Sequence, residues 1–200
     1  MSQPSSATDR PTKTGIITGA SSGFGLALAH RLSSSFNLLL ADCVPLSEHI
    51  PNARFVKTDV SDLDQLSNAG IPEPSDDPTP RQIAHLISVN LTAAVAGTYL
   101  AMQNFPSGGV IVNTASIGGG LHPISDAPIY SASKSGLVGF TQSLGHWKDR
   151  GIRVVAVCPF DAQRSRKKSR LIVPVELVVD AFVRAVEDTS LAGVCLRVTP

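Results

Sequence analysis

The sequence is poor in aromatic residues, in charge and in cysteine. Phe, Trp and Tyr make up 5% of 200 residues, and only two of them are tyrosines, which leaves little for stacking on nucleic-acid bases. Charged residues are 16% of the chain and the formal net charge is +1, so no global field recruits nucleic acid, a membrane surface or an acidic partner. So low a charge fraction suits a surface partly covered by another subunit. The three cysteines, Cys43, Cys158 and Cys195, are odd in number, far apart and outside any metal-ligand spacing, which predicts free thiols, a reducing compartment and no metal. Met1 to Lys13 is polar and rich in Pro and Ser, without an apolar signal core, and no later segment offers about 18 consecutive uncharged apolar residues. The expectation is a cytoplasmic, soluble chain with no membrane partner, whose residues 1–13 form a disordered tail.

What the chain does have is apolar patterning, with 42% hydrophobic residues, 16 Gly and 14 Pro. That is enough for one buried core over 14–200. Short apolar runs at Gly15–Thr18, Asn37–Asp42, Arg54–Val60, Gly109–Thr114, Ile152–Val157 and Gly193–Val198 read as strands. Between them, Leu26–Leu32, Arg81–Asn104, Tyr130–Trp147 and about Pro174–Asp188 read as helices. Val44 to Asn52 carries two prolines and has room only for a stunted helix. Alternation of strand and helix predicts an α/β fold with a doubly wound parallel sheet covered on both faces.

Tyr130 and Lys134 stand four residues apart, so on a helix they share one face. A phenol titrates near pH ~10, and its use as an acid or base at neutral pH requires about 3 units of depression. An ammonium about 4 Å away supplies that at an effective dielectric of ~20 but not in open water. The pair is chemically useful only where it is partly desolvated. Upstream, a strand runs into Gly19-Ala20-Ser21-Ser22-Gly23-Phe24-Gly25 and then a helix, the context in which a helix N-terminus receives a pyrophosphate. The second strand ends in Asp42, placed to accept ribose hydroxyls and to repel a 2'-phosphate, and neither Ser22 nor Cys43 is basic; this favours NAD over NADP. A capping or turn role is the other reading of Asp42.

The glycine turn, Asn68-Ala69-Gly70, Ser116 and the Tyr130/Lys134 pair, in that order, resemble the short-chain dehydrogenase/reductase family from about Thr14 to Val198. The resemblance implies a Rossmann-like fold and NAD as cofactor. Gly19, Ser21, Ser22, Gly23, Phe24 and Gly25 would line the pyrophosphate, Asp42 the ribose, Asp59 and Val60 the adenine, and Asn68, Ala69 and Gly70 the middle of the cofactor, with Pro159, Tyr130 and Lys134 completing its site. Tyr130 would be the acid/base, Lys134 its partner, Ser116 the donor to the substrate oxygen, and Asn90 the holder of a water in the proton relay. The activity implied is interconversion of a secondary alcohol and a ketone. The partners implied are that small-molecule substrate and a second copy of the chain, in a homodimer or homotetramer. The C-terminal segment Val186–Val198 resembles members of the 15-hydroxyprostaglandin dehydrogenase type.

The chain departs from the family in two places. Eight residues separate Val60 from Asn68, where the family has a crossover helix and a fourth strand. Such a crossover must move sideways ~14 Å and return along ~17 Å of strand, and eight extended residues reach at most ~28 Å. The helix is therefore expected to be missing and the fourth strand reduced to a stub at Leu63–Ser67. After Pro159, Phe160-Asp161 replaces the family's glycine and a short basic stretch, Gln163–Arg170, replaces a long apolar lid. Two other readings stay open beside the enzyme: a catalytically impaired relative acting as a nucleotide-binding or interaction protein, and a truncated product of a longer gene.

Overall fold

The computed structural model describes residues 11–59, 71–75, 77–160 and 173–200. Their chain contacts divide into two compact units, 1–57 and 58–200.

In the first unit, β1 (Lys13–Thr18), β2 (Phe36–Asp42) and β3 (Ala53–Lys57) pair in parallel in that order. The helix α1 (Gly23–Leu32) makes the crossover between β1 and β2 and packs on both. Ile17 registers with Leu40, and both are buried together with Leu38. On the opposite face Ile16 and Val56 are 54% and 36% exposed, although a parallel sheet usually has both faces covered. No helix forms between β2 and β3. Pro45 and Pro51 interrupt that stretch, and Asn52 turns it with φ of 53°. Lys13, expected in the tail, belongs to β1.

In the second unit, β4 (Gly109–Thr114), β5 (Ile152–Pro159) and β6 (Val194–Val198) form another parallel sheet in the order β4-β5-β6. All eight residues of β5 are buried, as a central strand covered on both faces must be. Its even-numbered residues, from Ile152 to Cys158, enter clusters with Ala94 and Met102 of α3 (Ala93–Asn104) and Leu137 and Val138 of α4 (Pro128–Ser143). The odd-numbered residues face α5 (Val175–Glu187), whose Val178, Val179, Phe182 and Ala185 are buried. Arg153 lies on that side, 9% exposed. Its guanidinium donates to the carbonyls of Ala185, Val186, Asp188 and Leu191 at 2.9–3.1 Å, of which those of Ala185 and Val186 are left by the end of α5 without helical donors.

The long apolar run after residue 80 is helical throughout but not uniformly α. The helix α2 (Pro80–Ile87) opens with a Thr79/Gln82 capping box and Pro80 in its first turn. One π turn, Ser88–Thr92, precedes α3. Contrary to the sequence expectation, Pro80–Asn104 is long and apolar enough by length and composition to cross a membrane. One side of it packs on α4 and β4, where Asn90 and Thr98 are almost wholly buried. The helix α4 passes into a 3-10 turn, Gly145–Arg150, and stops at Gly151, whose φ of 79° breaks the helix where expected.

The architecture is the parallel α/β, Rossmann-like one foreseen, with the strands of the described residues in two three-stranded sheets. The expected fourth-strand stub Leu63–Ser67, the missing crossover helix, the first ten residues of the tail and the basic stretch Gln163–Arg170 lie outside the described residues.

Candidate functional site

The glycine turn in the first unit takes the conformation its residues suggest. Gly19 and Gly23 have φ of 64° and 56°, in the region that favours glycine. A Cβ on Gly25 would stand 2.1 Å from the Gly19 carbonyl oxygen, so the start of α1 touches the turn backbone to backbone. Ser22, the residue before α1, makes no side-chain cap, and no acid stands in the first turn. The amides at this end face no competing protein anion on their own helix. Asp42 closes the turn: Oδ2 accepts from the Ser21 amide at 3.0 Å and Oδ1 from the Val44 amide at 3.1 Å. Oδ1 also accepts from the Cys43 thiol at 3.5 Å, but Oδ2 has a second lone pair, so the turn role and a ribose-binding role are compatible. These residues fit a dinucleotide's diphosphate and an unphosphorylated ribose.

In the second unit, α4 carries Tyr130 and Lys134 on one face, with the Lys134 Nζ 5.9 Å from the centre of the Tyr130 ring. Lys134 is 4% exposed and donates to the Thr114 carbonyl at 2.9 Å. Burial lowers its pKa from 10.5 to about 8. Cys158 opposes that shift only as a thiolate, and its own thiol is pushed up by a hydrogen bond with Cys195 and by burial. Desolvation therefore decides the state of the lysine. None of the three cysteines forms a disulfide.

Ser116 follows β4 and is 8% exposed, with its Oγ 3.5 Å from the Pro159 carbonyl oxygen. Two glycines join its surroundings to the tyrosine. A Cβ on Gly118 would lie 4.0 Å from the Ser116 Oγ, and one on Gly119 would lie 2.9 Å from the Tyr130 ring. The Gly118-Gly119 loop thus lies near the serine hydroxyl at one residue and against the phenol ring at the next.

Asn90 sits in the π turn, 1% exposed. Its Oδ1 accepts from the Ile71 amide at 2.7 Å, while Nδ2 donates to the Ile71 carbonyl at 2.9 Å and to the Ser133 Oγ at 3.3 Å. Ser133 in turn donates to the Tyr130 carbonyl at 2.7 Å. A π turn shifts side chains out of α register, often where function needs an odd orientation; the sequence pattern showed only a continuous helix here.

The structure therefore gathers Asn90, Ser116, Tyr130, Lys134 and Pro159 in the second unit, and Gly19, Ser21, Ser22, Gly23, Phe24, Gly25 and Asp42 in the first. Asp59 is exposed just after β3. Val60, Asn68, Ala69 and Gly70 lie outside the described residues. One residue near the site was missed: Glu73, whose carboxylate meets the amide of Tyr130 at 2.8 Å. A lone glutamate between two prolines in a loop carried no signal.

Comparison with known proteins agrees with the motifs. The family profile described as short chain dehydrogenase matches residues 35–167. The human 15-hydroxyprostaglandin dehydrogenase [NAD(+)] is 27% identical over 248 aligned residues, covering 94% of this chain and 91% of that protein. That alignment is longer than the present chain, so the relative carries stretches that this protein lacks. A 3beta-hydroxysteroid dehydrogenase 2 from Eggerthella lenta is 32% identical over 76% of this chain and 71% of its own. Among solved structures, a crystal structure of BdcA in complex with NADPH matches with a TM-score of 0.81 and 23% identity, covering 94% of this chain and 93% of that one.

Proposed function

Because the chain belongs to the short-chain dehydrogenase family, we propose that it is an NAD(H)-dependent oxidoreductase interconverting a secondary alcohol and a ketone. The observation that carries this reading is the buried Lys134 ammonium set beside the Tyr130 ring on one face of α4. The names of the 15-hydroxyprostaglandin and 3beta-hydroxysteroid relatives, each a dehydrogenase of a hydroxyl-bearing compound, support it.

When bound, the nicotinamide cofactor supplies or accepts the hydride. The rest of the chemistry belongs to the protein. Tyr130 moves a proton to or from the substrate oxygen, and the Ser116 Oγ donates to the same oxygen. The Lys134 charge favours the phenolate, the more so because the lysine is buried and the Tyr130 side chain is partly so. Asn90 acts through what it grips, holding Ile71 and, through Ser133, the carbonyl side of Tyr130. In the other unit, the turn from Gly19 to Gly25 would hold the diphosphate and Asp42 the ribose. The preference for NAD rests on Asp42, whose carboxylate repels a 2'-phosphate. Exposed Tyr99 and Leu100 on α3, each 46% accessible, support a homo-oligomer, which sedimentation reads directly.

Calorimetric titration with NAD and NADH, followed by a screen of secondary alcohols and ketones, tests the proposal. Saturable binding with turnover is expected. A folded protein that binds neither form would overturn it and favour an interaction protein presenting the exposed Ile16. In the same assay Gly25→Ala should weaken NAD by at least about tenfold, a loss of ~1.4 kcal/mol, since its methyl group cannot share space with the Gly19 carbonyl. Unchanged affinity in that variant would take the diphosphate away from this turn.

A further inference from the structure

The helix that carries Tyr130 starts without a cap of its own. Ala127 precedes it and offers no side-chain acceptor, and Pro128 in the first turn has no amide hydrogen. The Ser131 amide is satisfied by the Ala127 carbonyl at 2.9 Å. That leaves the amides of Ile129 and Tyr130, which no acceptor within the helix can serve. Glu73, more than fifty residues earlier, reaches both. Its Oε2 accepts from the Tyr130 amide at 2.8 Å, and its Oε1 lies 3.4 Å from the Ile129 amide. One carboxylate completes the first turn, where a negative charge also meets the positive end of the helix.

The approach of Glu73 is itself constrained. Pro72 and Pro74 fix the backbone on either side of it, and Asn90 holds both main-chain groups of Ile71 two residues before. Asn90 also donates to Ser133, and Ser133 to the Tyr130 carbonyl. The hydrogen bonds therefore close a ring from Ile71 through Asn90, Ser133, Tyr130 and Glu73 back to the same short segment. Tyr130, like Ile71, is held at both its amide and its carbonyl.

Resting on the reading of Tyr130 as the acid/base, we propose that Glu73 is a positioning residue that sets the placement of the phenol by fastening the Tyr130 amide to the 71–73 segment. An ångström of displacement in a reacting group costs on the order of 10²-fold in rate. In Glu73→Ala, kcat should fall about ten- to a hundredfold while the Kd for NAD stays within about twofold, which is below half a kcal/mol. Glu73→Gln keeps one acceptor for the Tyr130 amide and should recover most of that loss. A cap with a merely structural role would lower the melting midpoint but leave kcat intact in the folded protein and give no such ordering.

Amide hydrogen exchange on the same variants reads the contact without any turnover. Protection at Ile129 and Tyr130 should be lost in Glu73→Ala while that at Ser131 persists. Unchanged protection at those two amides, or a folded Glu73→Ala protein with wild-type kcat, would overturn the proposal. A wild-type protein inert toward every alcohol and ketone would instead overturn the dehydrogenase reading, and the exchange comparison would still decide whether Glu73 holds this turn.

Discussion

A Tyr130→Phe protein should turn over about 10² to 10⁴ times more slowly than wild type, which is what positioned proton transfer contributes, while its affinity for NAD stays within about twofold. The substitution removes one oxygen and leaves nearly everything else in place. The ring still packs against the Gly119 backbone. The main-chain bonds to Glu73 and Ser133 do not involve the side chain, and the nearby Lys134 ammonium still faces an aromatic ring. The loss should therefore fall on kcat rather than on the melting midpoint. Steady-state rates, calorimetry and thermal unfolding on one preparation separate these quantities. Comparable turnover in the variant would mean that the substrate proton travels by another route and that Ser116 and Lys134 serve some other group.

Much of this site could be read from the chain because its chemistry follows local periodicity. Tyr130 and Lys134 are one helical turn apart, and the turn between Gly19 and Gly25 is a continuous stretch. The strand Gly109–Thr114 has the extent that its apolar run announces, and Gly151 ends the helical segment by its positive φ. What escaped depends on partners distant in sequence. The π turn at Asn90 accompanies side-chain bonds to Ile71 and Ser133, 19 and 43 positions away; an apolar run interrupted only by Gly97 does not mark it. Glu73 is defined by the amides of Ile129 and Tyr130. Arg153, within an apolar strand, has meaning only beside the four carbonyls around the end of α5. Cys158 and Cys195 meet because β5 and β6 are adjacent, with Cys195 registered two residues from Cys158. Periodicity locates faces, whereas these contacts depend on which faces the topology opposes.

Replacing Lys134 by methionine should abolish useful turnover and yet stabilise the protein. In the folded chain burial holds the lysine pKa at about 8, against 10.5 for the free side chain, a difference worth about 3 kcal/mol. Between those values the unfolded chain binds the proton and the folded chain does not, so wild-type stability rises with pH across that window. Below pH about 8 both states are protonated, and the native state bears the full cost of a charge held away from water. A methionine of similar length carries no such cost. Against this stands the Thr114 carbonyl, which loses its donor, a penalty of about 1 to 3 kcal/mol. The net gain at pH 7 should be about 0 to 2 kcal/mol, and it should disappear as the pH approaches 10.5, where the wild-type lysine is neutral in the folded state and half neutral in the unfolded one. Urea unfolding of both proteins at pH 7 and near pH 10 measures the two limits. A variant less stable than wild type at pH 7 would mean that the buried ammonium has compensation beyond the Thr114 carbonyl. The expected outcome, stability gained as turnover is lost, would mark Lys134 as a residue whose place in the core is explained by its chemistry and not by the fold.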